Sequence, residues 1–425
     1  MRIGWGWLWV GLGLGIGSSW VTAQETLGRP QPRPERTAEE RAAWVAELRR
    51  LYARPREEWP APMVDEGVAW KEFAALPSRP KPTPLEEEWI EWGKRLFFDP
   101  RLSRTGEMAC ASCHDPDLGW ADGRTVSFGL GRRPLKRNAP GLVFAAHASA
   151  LFWDGRADSL ETQARMVLLN EEEMGCSETI ARELLERPEY RGLNELPIPK
   201  PNAEPTKDRV ASPACDTPAL DRVSRALAAF ERAIPVIRAP LDRFIEGEVQ
   251  ALSDEALIGL DLFRREGRCL NCHYGPLLSD GQFHEVGLSY FGRELEDLGR
   301  FHVTGDPADS GKFRTPSLRN VALTAPYMHN GLFQLDGVLK MYNAGMPTIP
   351  RRGDAAEDPR FPVKSPLLKP LGLNRRDLAD LKAFLVEGLT SPPRRVRPPR
   401  WDRPLDPPVG PAATSKESES GEVKE

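Results

Sequence analysis

Apolar side chains recur at three- and four-residue spacing in a handful of stretches, separated by long polar segments rich in proline and glycine. That period buries one face of an α-helix. From Pro84 onward, Leu85, Ile90, Trp92, Leu96 and Phe97 share such a face, and the glutamates at 86–88 suit a helix N-terminus. The same pattern predicts helices over Ser159–Leu169, Ser177–Glu186 (capped by Ser177), Thr217–Ile234, Ser253–Glu266, Leu335–Asn343 and Asn374–Gly388. Between them lie a loop-rich region from Asp99 to Phe152, a proline-rich connection from Leu193 to Pro218, and an irregular, glycine-dense stretch from Gly275 to Pro316. No alternating β-branched run exceeds about five residues. The expected class is mostly α with long loops.

Composition adds a tail at each end. Residues 24–83 are rich in proline and charge, with one amphipathic stretch over Thr37–Tyr52, and read as an extension wrapped on the surface. Residues 391–425 alternate proline with arginine and end in Ser, Glu and Lys, which predicts disorder. Arg2, an apolar run from Ile3 to Trp20 and Val21-Thr22-Ala23 form a secretory signal peptide cut after Ala23. A membrane anchor would need ~20 uninterrupted apolar residues, and six glycines and two serines break this run. The expected mature protein is exported to the periplasm without a membrane span. A net charge of −4, from 58 basic and 62 acidic side chains, argues against nucleic acid as partner.

The chemistry sits among six cysteines and six histidines. Cys110-Ala-Ser-Cys113-His114 and Cys269-Leu-Asn-Cys272-His273 are both C-x-x-C-H. Two thiols three residues apart can bond to the two vinyl groups of one haem, and the histidine that follows is then carried under the iron. A thioredoxin-like pair would need a βαβ setting, and a zinc site a second close C-x-x-C; neither is present. Two such motifs in an exported chain imply two covalently bound haem c groups, held by Cys110, Cys113 and His114 and by Cys269, Cys272 and His273. They predict two tandem cytochrome c-type domains, over 84–215 and 216–390. Such a protein transfers electrons or handles peroxide, and the second axial position of each iron decides which.

Around these motifs, Gly93-Lys-Arg-Leu-Phe-Phe-Asp-Pro-Arg-Leu-Ser103, Phe152-Trp-Asp-Gly-Arg156 and Phe313-Arg-Thr-Pro-Ser-Leu-Arg-Asn-Val-Ala-Leu-Thr-Ala-Pro-Tyr-Met-His-Asn-Gly331 resemble the bacterial dihaem cytochrome c peroxidase and MauG family over residues 84–390. The resemblance implies a peroxidatic first haem and an electron-relaying second one. It puts the family's acid–base pair on Gln163 and Glu173, though Glu171–Glu173 taken alone is an ordinary acidic run. It matches Trp153 with the tryptophan between the haems, and Asn138, Thr324 and Pro326 with a calcium site, whose oxygen-only ligands suit that hard cation. His329 is expected near the second haem. No chemistry is expected of His284 and His302. Cys176 and Cys215, left over once the haem cysteines are assigned, are expected to pair as a disulfide in an exported chain.

Two departures bear on mechanism. Leu130 stands where the peroxidases carry a histidine that caps the first iron, so that iron is expected to be open at rest, as in MauG; His147 is the other candidate ligand nearby. For the second iron the peroxidases use methionine and MauG a tyrosine, and this chain offers Met341, Tyr342 and Met346. Tyr342 lies within ~20° of Leu335 on the helical wheel and Met341 ~120° away, which favours Tyr342 and leaves Met341 as the alternative.

The expected activity is peroxidase-type oxidoreduction: hydrogen peroxide is reduced with electrons from a small cytochrome c or cupredoxin. The alternative is a MauG-like enzyme that uses peroxide and a bis-ferryl state to oxidise a tryptophan or tyrosine of a partner protein. A plain electron shuttle is the third reading. The resemblance also allows a homodimer.

Overall fold

The computed structural model describes residues 31–198, 218–351, 357–392 and 396–399. The expected signal peptide, Cys215, most of the proline-rich connection and most of the basic tail lie outside the described residues. Eleven α-helices are described: α1 (Ala38–Tyr52), α2 (Pro84–Phe97), α3 (Leu160–Leu169), α4 (Glu178–Leu185), α5 (Arg191–Glu195), α6 (Ala219–Ala233), α7 (Pro240–Ile245), α8 (Asp254–Arg264), α9 (Phe301–Thr304), α10 (Leu335–Asn343) and α11 (Arg375–Ala383), the last running into a π-turn at Phe384–Gly388. Two three-residue strands, β1 (Phe283–Glu285) and β2 (Lys312–Arg314), pair antiparallel. The mostly helical class expected from the apolar spacing is therefore observed.

Side-chain caps fix where the helices begin. Thr83 accepts from the amide of Glu86, Ser159 from Thr162, Ser177 from Ile180, Ser253 from Ala256 and Asn374 from Asp377. Each such cap is worth about 1 kcal/mol.

The apolar faces form two main cores. In one, Trp89, Leu96 and Phe97 of α2 meet Leu227 and Phe230 of α6, with Leu184 of α4 and Trp120. In the other, Leu257 and Phe263 of α8 meet Leu381 of α11 and Phe384. Each core has a close helix crossing at a glycine. A Cβ at Gly93 would lie 1.8 Å from the carbonyl oxygen of Ala226, and one at Gly259 would lie 2.1 Å from that of Asp380. Only a residue without a side chain lets those backbones touch. In both halves the helix bearing the glycine is the α-helix that precedes the C-x-x-C-H turn in the chain.

The N-terminal extension departs from the expected surface wrapping. Leu48, Tyr52, Trp59 and Phe73 are buried members of the second core. Tyr52 meets Trp59 at 5.1 Å, and Phe73 meets Phe263 at 5.9 Å. Arg33 and Arg41 pair bidentately with Asp377 and Asp380 of α11. A few aromatics spaced irregularly among prolines bury as much per residue as a helix face, but they leave no period to read. At the other end, Ser391 is buried against the side chain of Asn320 and Val396 packs on the first core.

No helix among the described residues is long and apolar enough to cross a membrane.

The crossing at Gly93 yields a direct stability prediction. Gly93→Ala drives a methyl group into the backbone of α6 and should destabilise the protein by about 3 kcal/mol, read as a fall in the midpoint of thermal or denaturant unfolding; an unchanged midpoint would contradict the crossing.

Candidate functional site

Each C-x-x-C-H motif folds as one tight turn. The amides of Cys113 and His114 donate to the carbonyl of Cys110 at 3.2 and 3.0 Å, and those of Cys272 and His273 to that of Cys269 at 3.2 and 2.8 Å. This turn points both sulfurs and the imidazole of each motif into a single cavity of about 1510 Å³. A pocket for one small ligand has ~300–1,000 Å³, so this one has room for more than one large group.

The imidazoles are fixed alike. His114 Nδ1 lies 2.9 Å from the carbonyl of Trp120, and His273 Nδ1 lies 2.9 Å from that of Leu278. A carbonyl only accepts, so each Nδ1 carries the proton and each Nε2 keeps its lone pair. That is the tautomer of a metal-ligating histidine with its supporting acceptor in place. Burial lowers the pKa of both rings, which keeps them neutral. It also pushes the thiols of Cys113 and Cys269 up, to about 11 and about 12. These sulfurs and nitrogens fit two haem c groups.

Of the other residues expected at the site, Gln163, Glu173, Trp153, Tyr342, Asn138, Thr324 and Pro326 all line the same cavity. In the acidic run, Glu171 and Glu172 are exposed while Glu173 turns inward. The Asn170 amide donates to Glu173 Oε1 at 2.9 Å, and burial raises the Glu173 pKa despite the charge of Arg156 nearby. Trp153 Nε1 donates to the Asn138 carbonyl at 2.9 Å, and its ring meets His329 edge-on at 6.5 Å. His329 stacks on Phe313 at 3.6 Å; its Nε2 is buried without a hydrogen-bond partner, and burial lowers its pKa to about 4. The Asn138 side-chain amide donates to the Arg124 carbonyl at 2.8 Å, which leaves its Oδ1 free.

Tyr342 lines the cavity, whereas neither Met341 nor Met346 does. Burial raises the Tyr342 pKa, and the Cys272 and Cys269 sulfurs add to the shift. Leu130 is buried but turns away from the cavity, packing beside Gly175; Phe128 and Leu135 face inward instead. His147 lies exposed at the cavity wall. Cys176 is buried, and Cys215 lies outside the described residues.

Two groupings escaped the sequence reading. Asp280 Oδ2 lies 2.8 Å from His284 Nε2, and both come within 4.8 Å of Cys272 Sγ. Arg137 bridges Asp154 and Asp297, at 2.6 and 2.7 Å, and so ties the loop of the first half to that of the second. The i,i+4 spacing of Asp280 and His284 was a signal available in advance; the Arg137 bridge left none.

A mainly helical chain that turns two C-x-x-C-H loops into one chamber is a protein of the c-type cytochrome class. The di-haem cytochrome c peroxidase family profile matches residues 87–250. The methylamine utilization protein MauG of Methylorubrum extorquens is 37 % identical over 325 residues, covering 76 % of this chain and 83 % of that protein. A cytochrome-c peroxidase of Denitromonas iodatirespirans is 35 % identical over 347 residues, covering 74 % and 85 %. The crystal structure of a MauG-like protein associated with microbial copper homeostasis superposes with a TM-score of 0.60 at 30 % identity, over 77 % of this chain and 96 % of that one. The chain belongs to the dihaem cytochrome c peroxidase and MauG family, and that membership implies two haem c groups.

Replacing Cys110 and Cys113 by alanine should remove one haem equivalent by mass and by haemochrome absorbance, and replacing Cys269 and Cys272 the other. Two equivalents retained in either variant would contradict the assignment.

Proposed function

We propose that this protein is a periplasmic peroxidase-type oxidoreductase, which reduces hydrogen peroxide to two waters with two electrons and two protons. A haem on Cys110, Cys113 and His114 would take the peroxide, and a haem on Cys269, Cys272 and His273 would relay electrons from a small cytochrome c or cupredoxin. The observation that carries this reading is Glu173, the half-buried carboxylate of its acidic run, held by the Asn170 amide on the wall of the chamber with Gln163. Haem, when bound, supplies the iron that accepts electrons and binds oxygen. The rest falls to side chains of this chain.

Glu173 can take the proton from one peroxide oxygen and return it to the other, so that the departing oxygen leaves as water. The Asn170 amide orients the carboxyl group, and Gln163 offers a hydrogen bond to the bound peroxide. Trp153, Phe313 and His329 form a contiguous aromatic group on the wall shared by the two motifs, and Trp153 is its member for electron passage. Asn138 Oδ1 and the carbonyls of Thr324 and Pro326 would hold a calcium ion, with waters completing the shell.

A MauG-like use of peroxide, with a protein tryptophan or tyrosine as the electron source, has one observation in its favour. Tyr342, whose phenol would be a hard ligand, lines the cavity beside the second motif, and neither methionine does. With no histidine at position 130, either reading has the first iron open at rest.

Glu173 gives the test. Burial raises its pKa above the usual carboxyl range, and the base that takes the first proton is the ionised form. The second-order rate with peroxide should therefore fall as pH drops through that raised pKa. Glu173→Gln should lower the rate about 10²–10⁴-fold and flatten the profile while both haems stay bound. A wild-type rate in the variant would contradict the role.

A further inference from the structure

The two attachment turns differ in what stands behind them. The first takes no hydrogen bond or ion pair from residues 31–83 among the described residues. The second is gripped by the N-terminal extension on both sides of its cysteines. The Asp65 carboxylate pairs with Arg268, immediately before Cys269, and with Lys369 Nζ at 3.0 Å. The Asp65 amide donates to Asn271 Oδ1, between the cysteines, at 2.8 Å. Arg268 has φ +53°, a left-handed conformation that an arginine keeps only when its surroundings hold it. Beyond His273, the Gly275 amide donates to the Lys71 carbonyl at 3.1 Å, and buried Arg319 joins the Pro276 carbonyl to that of Ala74. Arg264 anchors the start of the segment through the Pro60 carbonyl, at 2.8 Å.

These bonds continue to the imidazole. Lys71 O accepts from Gly275 N, Gly275 O accepts from Leu278 N at 3.2 Å, and Leu278 O accepts from His273 Nδ1 at 2.9 Å. The hydrogen bond at Nδ1 orients a ligating histidine and sets its basicity. None of residues 59–74 lines the cavity; they meet it through the loop and through Phe263, on which Phe73 packs.

We propose that residues 59–74 form a positioning strap for the second haem, anchored at Asp65, which sets that haem's reduction potential through the Gly275–Leu278–His273 chain of hydrogen bonds. This rests on the reading that Cys269, Cys272 and His273 hold a haem. Asp65 is a positioning residue; it touches neither substrate nor cofactor. With the Asp65 bonds lost, the middle of the strap loosens over the loop, the Lys71–Gly275 bond opens more often, and the carbonyl that receives His273 Nδ1 shifts.

The test uses full-length holoprotein. Haem content by mass comes first, then the midpoint potential of each haem by spectroelectrochemical titration and amide exchange at Gly275. Asp65→Ala should keep the first haem's potential, move the second's, and speed exchange at Gly275 at least tenfold. Asp65→Asn, which keeps the amide bond to Asn271 but loses the charge pairs, should move the second potential less and in the same direction; it decides the matter if the alanine variant does not fold. Wild-type potential and exchange at the second site, or equal shifts at both haems, would overturn the strap. Wild-type protein lacking a haem on Cys269 and Cys272 would instead overturn the reading beneath it, a failure visible before any variant is made.

Discussion

One hydrogen bond, made twice, organises the site: the histidine of each C-x-x-C-H turn donates its Nδ1 proton to a backbone carbonyl five or six residues further on. Without it the ring could present either nitrogen in any rotation. The acceptors are carried by Trp120 and Leu278, at φ +62° and +50°, left-handed conformations costly for side chains of that size. Packing repays the strain. Trp120 is held between Phe97 and Phe230 of the first core, and Leu278 is fully buried in the second. The glycine crossings at Gly93 and Gly259 bring each helix pair close enough to form those cores, so core packing and ligand orientation are parts of one arrangement.

The halves share this device and differ in what surrounds it. Around the first motif the shared cavity has the Glu173 carboxyl group and a glutamine, and position 130 is a leucine. Around the second motif the cavity has a tyrosine on the wall and the Asp280–His284 pair, with an N-terminal segment folded behind the loop. In the proposed mechanism the first centre takes peroxide and the second holds and passes electrons. Arg137, salt-bridged to both Asp154 and Asp297, and Trp153, whose carbonyl accepts from the Arg314 amide, keep the two in register.

The regular elements were legible because their signals are local. Caps at Ser159, Ser177, Ser253 and Asn374 and the three-four spacing of apolar residues needed no tertiary knowledge, and C-x-x-C-H states its own chemistry. The wheel position of Tyr342 relative to Leu335 foretold which way it faces. By residue type Glu173 is like Glu171 and Glu172, and only the family resemblance singled it out; what distinguishes it physically is its burial and the Asn170 bond. The extension was misread as surface wrapping because Tyr52, Trp59 and Phe73 bury into a core assembled from residues some two hundred positions away. Leu130 was singled out for the histidine it replaces, yet Phe128 and Leu135 are the side chains that face the chamber.

In the proposed mechanism one centre is open to peroxide and the other is closed by a protein ligand. Paramagnetic resonance of the as-isolated diferric protein, before and after one equivalent of hydrogen peroxide, tests it most directly. The account predicts one high-spin and one low-spin ferric signal, with the high-spin signal lost on addition. Two low-spin signals, both indifferent to peroxide, would contradict it and leave an electron-transfer cytochrome.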